Sequence, residues 1–237
     1  MIDARDFELP IGIVDEPRKK ASMIETEFRA FVAAPEFPCL AGKGVVHRHD
    51  YGFGVFGALG DVRTAAELGA SLAGFVRNLT ADGTEFRAFA AVFPDRAPVN
   101  EIAFEQRLWR QLQHLNECNE LGVDWDPSVS ADPESAQFSF SFAGRALFVV
   151  GLHPVSSRLA RRFRWPTLVF NPRSQFERLR ADGKFEKLRD AVRERDVALQ
   201  GTLNPNLADF GERSEARQYS GRAIEPEWRC PFHRNEP

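Results

Sequence analysis

The chain has 237 residues, of which 43% are hydrophobic and 27% charged, with a net charge of −3. These values are ordinary for a globular protein and exclude disordered and collagen-like classes. The nearly balanced charge gives no reason to expect nucleic acid or an anionic membrane as a partner. No apolar run approaches the length of a membrane span, and no secretory signal opens the sequence. We therefore expect a cytoplasmic protein.

Two features of composition bear on chemistry. The three cysteines, Cys39, Cys118 and Cys230, stand far apart and form no CxxC motif, which argues against a disulfide framework and a structural zinc site. Arginine outnumbers lysine 26 to 5, and ten arginines lie between positions 158 and 195. The planar guanidinium suits carboxylate or phosphate recognition. A GC-rich genome would account for the global bias without any such function.

The first half of the chain predicts alternating helices and strands behind a polar segment. Residues 1–17 are expected to form a flexible arm, and residues 18–237 a single domain. Apolar spacing marks the helices, and Asn100 is placed to cap one of them. The predicted elements are a helix over 18–34, a short strand within 44–60, a helix over 63–79, a strand over 85–93 and a helix over 100–121.

The strongest local signal is a β-hairpin over about residues 137–153. Phenylalanines alternate with small polar residues in its first strand, and residues 146–152 are apolar throughout. Because the second strand is apolar on both faces, we expect it to be central in the sheet. The order of elements predicts an α+β fold, with a mixed sheet flanked by helices and a long irregular C-terminal segment. The remaining predicted elements are a short strand over 167–170, a helix from a capping box at 174–177 and a helix over 184–199.

His153 closes the buried second strand and shares its side-chain parity with Leu147 and Val149. Neutral imidazole is a common metal ligand, and a proximal histidine is a standard haem ligand. A histidine at the mouth of a rigid apolar strand is therefore well placed to bind a metal in a dry pocket. The alternative is a histidine that is hydrogen-bonded in a turn.

The segment after His153 carries a cluster of basic residues. If Ser156 or Ser157 caps a short helix, Arg158, Arg161 and Arg162 share one helical face. Such a face suits haem propionates or an anionic substrate. The alternative is a solvated basic surface.

The tail at 214–222 is rich in hydrogen-bonding groups and holds few apolar residues, which is typical of a loop that closes a polar site and equally of a surface loop. Glu215 is the carboxylate that could take a cationic substrate, since one carboxylate accepts two parallel bonds from a guanidinium. Cys39 and Cys230 could each bind haem iron as thiolates. Buried, inert cysteines are the alternative.

Many stretches of the chain resemble the YqcI/YcgG family, in the same order and over about residues 28–232. The pattern departs at two positions, because we expect a histidine in place of Asn116 and often one in place of Arg173. The matching stretches include Phe-Pro-Cys at 37–39, FSFAGRALFVVGLHPVSSRLARRF at 140–163, PTLVFN at 166–171, QFERLR at 175–180, RERDVALQG at 193–201, NPNLADFGERSEARQYSGR at 204–222 and WRCPF at 228–232.

This resemblance implies a haem-dependent N-oxygenase, similar to the guanidine N-hydroxylases of guanitoxin and D-cycloserine biosynthesis. It implies haem b, dioxygen or peroxide, a separate electron donor and a small cationic amino-acid-like substrate. A haem sensor or carrier without turnover is the alternative, and a haem-free structural protein is a third. The site residues so implied are His153 as iron ligand, Arg158, Arg161, Arg162 and Arg222 at the propionates, Cys39 in the haem pocket, and Glu215 and Gln218 at the substrate.

Overall fold

The structure is a computed structural model that describes residues 15–80, 86–119, 123–208 and 211–234. The strands are β1 (Tyr51–Val55), β2 (Ala88–Val92), β3 (Phe140–Phe142), β4 (Arg145–Leu152) and β5 (Thr167–Pro172). The helices are α1 (Asp15–Ala33), α2 (Leu40–Arg48), α3 (Val62–Arg77), α4 (Glu101–Asn119), α5 (Arg173–Ala181), α6 (Phe185–Gln200) and α7 (Ala216–Tyr219), with a 3-10 turn at Leu159–Arg161.

The five strands form one mixed sheet in the order β1-β2-β5-β4-β3. β1 and β2 are parallel, and all other neighbours are antiparallel. The predicted α+β fold with a mixed sheet is therefore confirmed. α3, α4 and α6 correspond closely to predicted helices, and the Asn100 side chain accepts a hydrogen bond from the Ala103 amide at 2.8 Å.

The predicted hairpin is formed by β3 and β4 and turns through Ala143 and Gly144, both with positive φ. The apolar second strand, β4, lies in the interior of the sheet, as its sequence indicates. The middle position belongs to β5, because β3 has only three residues and forms the sheet edge beside β4.

Successive side chains of β4 point to opposite faces of the sheet and therefore pack into two separate cores. Leu147 and Val149 pack with α3 and α4 on one face of the sheet. Val150 and Leu152 pack on the other face, against α1. This alternation explains why the strand is apolar at consecutive positions, and it gives the sheet two chemically distinct sides.

One helix was missed and two local predictions were wrong. α2 was missed, because Gly42 and Gly44 are poor helix formers and weaken its pattern. The helix expected after Ser156 is only a single 3-10 turn, so its arginines do not share an α-helical face. α5 begins at Arg173, one residue before the expected capping box, and has no side-chain cap.

Parts of the sequence predictions lie outside the described residues. These are residues 1–14 of the arm, Glu85 of the second predicted strand, and positions 120–121 of the third predicted helix. Residue 15 already belongs to α1, so the helix begins three residues earlier than expected. In the described part of the chain, no helix is long and apolar enough to cross a membrane.

Candidate functional site

A cavity of about 400 Å³ lies between one face of the sheet, the α1–α2 pair and the α5–α6 pair. This volume falls in the range of small-molecule and cofactor sites. Ala88 and Ala90 of β2 are small and leave room above the sheet. The apolar lining comes mainly from Phe28 and Val32 of α1, Val45 and Val46 of α2, Phe148, Val150 and Leu152 of β4, Val169 of β5, and Leu188 and Val192 of α6.

The polar part of the lining is strongly basic. Among the residues that the structure describes, seven arginines and two carboxylates, Asp196 and Glu215, face the cavity, which leaves an excess of five positive charges. A wall of this sign attracts carboxylate or phosphate groups. The arginines are Arg158, Arg161, Arg173, Arg180, Arg189, Arg193 and Arg213.

One basic group surrounds the 3-10 turn. The guanidinium of Arg158 is buried, pairs with Asp196 of α6 and also donates to the Thr202 carbonyl at 2.8 Å. The Nη1 of Arg161 donates to the Tyr219 carbonyl at 3.0 Å and to the Gly151 carbonyl at 3.4 Å. Burial lowers the pKa of Arg161 to about 10, so the guanidinium is still charged at pH 7.

A second basic group lies at the start of α5. Arg173 is buried and donates to Glu215 at 2.6 Å and to Glu177 at 3.0 Å. Burial raises the pKa of the Glu215 carboxyl, while the nearby Arg173 guanidinium acts in the opposite direction. Gln218 lines the same cavity one helical turn further along. The two predicted substrate residues therefore share the cavity, but Glu215 already has an arginine partner.

His153 lies on the other side of the sheet. It is fully buried, and its ring stacks on Phe104 of α4 with the centroids 4.1 Å apart. His153 is not part of the cavity lining, because its parity follows Leu147 and Val149 and points toward α4. The expected burial is present, but the ring faces away from the cavity. Iron ligation by His153 stays a prediction that this arrangement does not support.

Arg162 and Arg222 also lie away from the cavity lining. Arg162 is exposed, and its Nε donates to the Ser156 carbonyl at 2.9 Å. Arg222 is buried and pairs with Glu105 of α4 at 3.0 Å and with Glu225 at 2.8 Å. Both guanidinium groups therefore have structural partners of their own, and neither is placed to hold a ligand in the cavity.

Cys39 lines the cavity, and its expected place in a haem pocket stays a prediction. It caps α2, and its Sγ accepts a hydrogen bond from the Gly42 amide at 3.3 Å. Burial raises the pKa of the Cys39 thiol, and the amides of the first helical turn oppose that rise. Cys230 is buried in the core that lies between the sheet and helices α3 and α4, where burial raises its pKa to about 12. Cys39 is therefore the cysteine that a cavity ligand would meet.

The cavity-facing residues of α5 and α6 were missed by the sequence analysis, although their spacing carries a signal. Arg173, Phe176 and Arg180 recur at i, i+3 and i+7, so they lie on one face of α5. The lining face of α6 repeats in the same way and mixes apolar and basic residues: Phe185, Leu188, Arg189, Val192, Arg193 and Asp196. A helical face that mixes apolar and charged residues suits contact with a ligand that has both kinds of group. It does not suit burial in a uniformly apolar core.

Comparison with known proteins returns one family and two curated relatives. The model of the YqcI/YcgG family matches residues 28–233. The chain is 27% identical to the uncharacterised protein YcgG of Bacillus subtilis (strain 168) over 209 residues, which cover 84% of this chain and 81% of that protein. It is 25% identical to the uncharacterised protein YqcI of the same organism over 207 residues, covering 83% and 80%. No solved structure matches the chain significantly.

Proposed function

The chain belongs to the YqcI/YcgG family, and from this premise we propose that it is a cytoplasmic, haem-dependent monooxygenase that hydroxylates a guanidine or amine nitrogen of a small amino-acid-like substrate. The observation that carries the proposal is the cavity, which combines apolar walls with an arginine-rich side. Haem has the same two-part chemistry, since a flat apolar ring bears two carboxylates.

The lining residues fit a haem in three respects. The sheet face, α1 and α2 offer apolar surface to the ring, and Arg161 offers charge-assisted hydrogen bonds to a propionate. Cys39 adds a thiol to the wall, and cysteine thiolate is an established class of haem ligand. The bound haem would supply the oxidising chemistry, with dioxygen or peroxide as oxidant and a separate electron donor.

The protein's own groups would bind and orient the substrate. Glu215 would hold a substrate cation through its carboxylate, in exchange for part of its contact with Arg173. Gln218 would add an amide that can donate and accept hydrogen bonds. The apolar walls would exclude water, which strengthens the electrostatic contacts of a bound substrate.

The first test is cofactor loading followed by turnover. Titration with hemin should give a saturable Soret shift, because the cavity offers apolar walls to the ring and arginines to the carboxylates. Loaded protein, supplied with reductant, dioxygen and a panel of arginine-like guanidines and amines, should yield a product heavier by one oxygen. Glu215→Gln keeps the size and removes the charge, so we expect an unchanged haem spectrum and a loss of product measured by mass spectrometry.

A haem sensor or carrier without turnover is the second candidate. The ion pair between Arg173 and Glu215 favours it, because that carboxylate is already neutralised inside the protein. Saturable haem binding with no oxygenated product from any compound of the panel would select this candidate. A product oxygenated on carbon would keep the enzyme and reject the nitrogen assignment.

A further inference from the structure

The arginines that line the cavity differ in whether a carboxylate of the protein already neutralises their charge. Arg158 is paired with Asp196, and Arg173 is paired with Glu215 and Glu177. Arg161 forms no ion pair within the described residues, and its hydrogen bonds to protein use Nη1 only. A guanidinium carries five N–H donors. Arg161 therefore retains both a charge and donors for a ligand.

The surroundings hold the Arg161 side chain in place. Two backbone carbonyls, of Gly151 and Tyr219, accept from its Nη1. Gly221 lies so close that an added Cβ would be 2.5 Å from the Arg161 Cδ, and its φ of +82° suits glycine. This cradle preorganises a cation at the cavity wall, and a cation in a partly desolvated site favours an anionic partner.

Metal ligands are scarce on the same wall. No histidine of the described residues lines the cavity, since His153 stacks on Phe104 across the sheet. Cys39 is the lining cysteine, and its thiol is engaged as the cap of α2. Of the three lining arginines compared, Arg158, Arg161 and Arg173, Arg161 is the one without an ion pair among the described residues, and it lies beside the apolar walls.

Resting on the proposed haem site, we infer that the cavity recognises its ligand by a carboxylate held at Arg161 together with an apolar ring, and not by ligation of the metal. An iron-free porphyrin that carries both carboxylates binds as tightly as haem. A porphyrin whose carboxylates are esterified binds poorly. This assigns the recognition step to Arg161 and separates it from the iron chemistry.

The experiment compares three ligands on protein purified free of porphyrin. Hemin and protoporphyrin IX should bind with the same affinity, measured by absorbance and by porphyrin fluorescence. The dimethyl ester of protoporphyrin IX should bind about ten- to a hundredfold more weakly, because it loses one charge-assisted hydrogen-bonding group at Arg161.

Variants test the same contact from the protein side. Arg161→Gln should weaken protoporphyrin IX binding by about ten- to a hundredfold and should not change binding of the dimethyl ester. Arg162→Gln is the matched control, because Arg162 is adjacent, exposed and outside the lining. It should bind all three ligands as the unmodified protein does. If Arg161→Gln fails to fold, the comparison of protoporphyrin IX with its dimethyl ester on the unmodified protein still tests the inference.

The outcomes separate this inference from the proposed function. The inference is overturned if the dimethyl ester binds as tightly as protoporphyrin IX, or if hemin binds and protoporphyrin IX does not. In either case the proposed haem enzyme still stands. Absence of binding by all three ligands overturns both. Equal binding of hemin and protoporphyrin IX, with a weak diester and no oxygenated product, supports the inference and rejects the oxygenase.

Discussion

At the residue scale, His153 is a buried histidine with an unusual environment. Its ring stacks on Phe104, and neither ring nitrogen has a hydrogen-bond partner among the described residues. Burial lowers the pKa of His153 from 6.5 to about 4, with the positive charge of Arg161 acting in the same direction. The neutral ring is therefore the form that the folded protein accommodates.

This shift has a defined effect on stability. Above pH 6.5 the imidazole is neutral in both the folded and the unfolded chain, so it makes no pH-dependent contribution. Between pH 6.5 and about 4 the unfolded chain takes up the proton first, and the free energy of unfolding falls as the pH falls. A shift of this size corresponds to a loss of up to about 3 kcal/mol across the window.

We predict that His153→Leu removes this acid-sensitive contribution. The variant should be at least as stable as the unmodified protein at pH 7, because it replaces two unpaired buried nitrogens by carbon. Its free energy of unfolding should fall less between pH 6.5 and 4, measured by urea titration. His47→Leu, a change at an exposed residue of α2, is the control. Loss of haem binding in His153→Leu, with stability intact, would instead support His153 as the iron ligand.

At the element scale, one buried ion pair fastens the irregular C-terminal segment to α4. Glu105 accepts from Arg222 at 3.0 Å, from the Ser220 hydroxyl at 2.9 Å and from the Trp228 indole at 3.1 Å. Three points of a segment that has little regular structure therefore converge on one carboxylate. The hydrogen bonds with Glu105 and Glu225 raise the pKa of Arg222 against the effect of its burial.

We predict that Glu105→Ala lowers the free energy of unfolding by about 3–5 kcal/mol, because it removes the buried carboxylate partner of Arg222 and leaves that guanidinium only the exposed Glu225. Urea unfolding would measure the loss, and limited proteolysis should cut the segment after Gly201 sooner. Asp50→Ala, which breaks an exposed pair with Arg48, should change the free energy by no more than about 1 kcal/mol. A change in Glu105→Ala as small as that of the control would show that the carboxylate is not an anchor.

At the scale of the whole molecule, the cavity joins parts that are distant along the chain. Its walls come from α1, α2, the sheet, α5 and α6. Arg195 of α6 also donates to the carbonyls of Pro35 and Phe37, which ties α6 to the segment before α2. A ligand in the cavity would contact both sides of this junction, so binding should stabilise the fold as a unit.

We predict that hemin at a hundred times its Kd raises the free energy of unfolding by about 2.7 kcal/mol through mass action. Amide hydrogen exchange should slow in α2 and α6, which face the cavity, and should change little in α3, which packs on the opposite face. Thermal unfolding and exchange mass spectrometry would measure these effects. Stabilisation with protection confined to α3 would place the haem elsewhere.

The strongly periodic elements were predictable because their patterns are local. The phenylalanine alternation of β3, the continuous apolar run of β4 and the helical spacing of α3 and α4 each follow from which side chains must be buried. The long C-terminal segment with little regular structure was also anticipated. α2 escaped prediction because two glycines dilute its pattern.

The sequence by itself determined the α+β class, the hairpin, the burial of His153 and membership in the family pattern, since these depend on local periodicity or on motifs in order. Only the tertiary structure decided which arginines face the cavity. Arg158, Arg161 and Arg162 are near neighbours in the chain, yet Arg158 is paired with Asp196, Arg161 lines the cavity without an ion pair among the described residues, and Arg162 is exposed. The physical reason is that a side chain's partner is set by what packs across from it. These three arginines meet α6, α7 and the sheet only because contacts between residues distant in sequence bring those elements together.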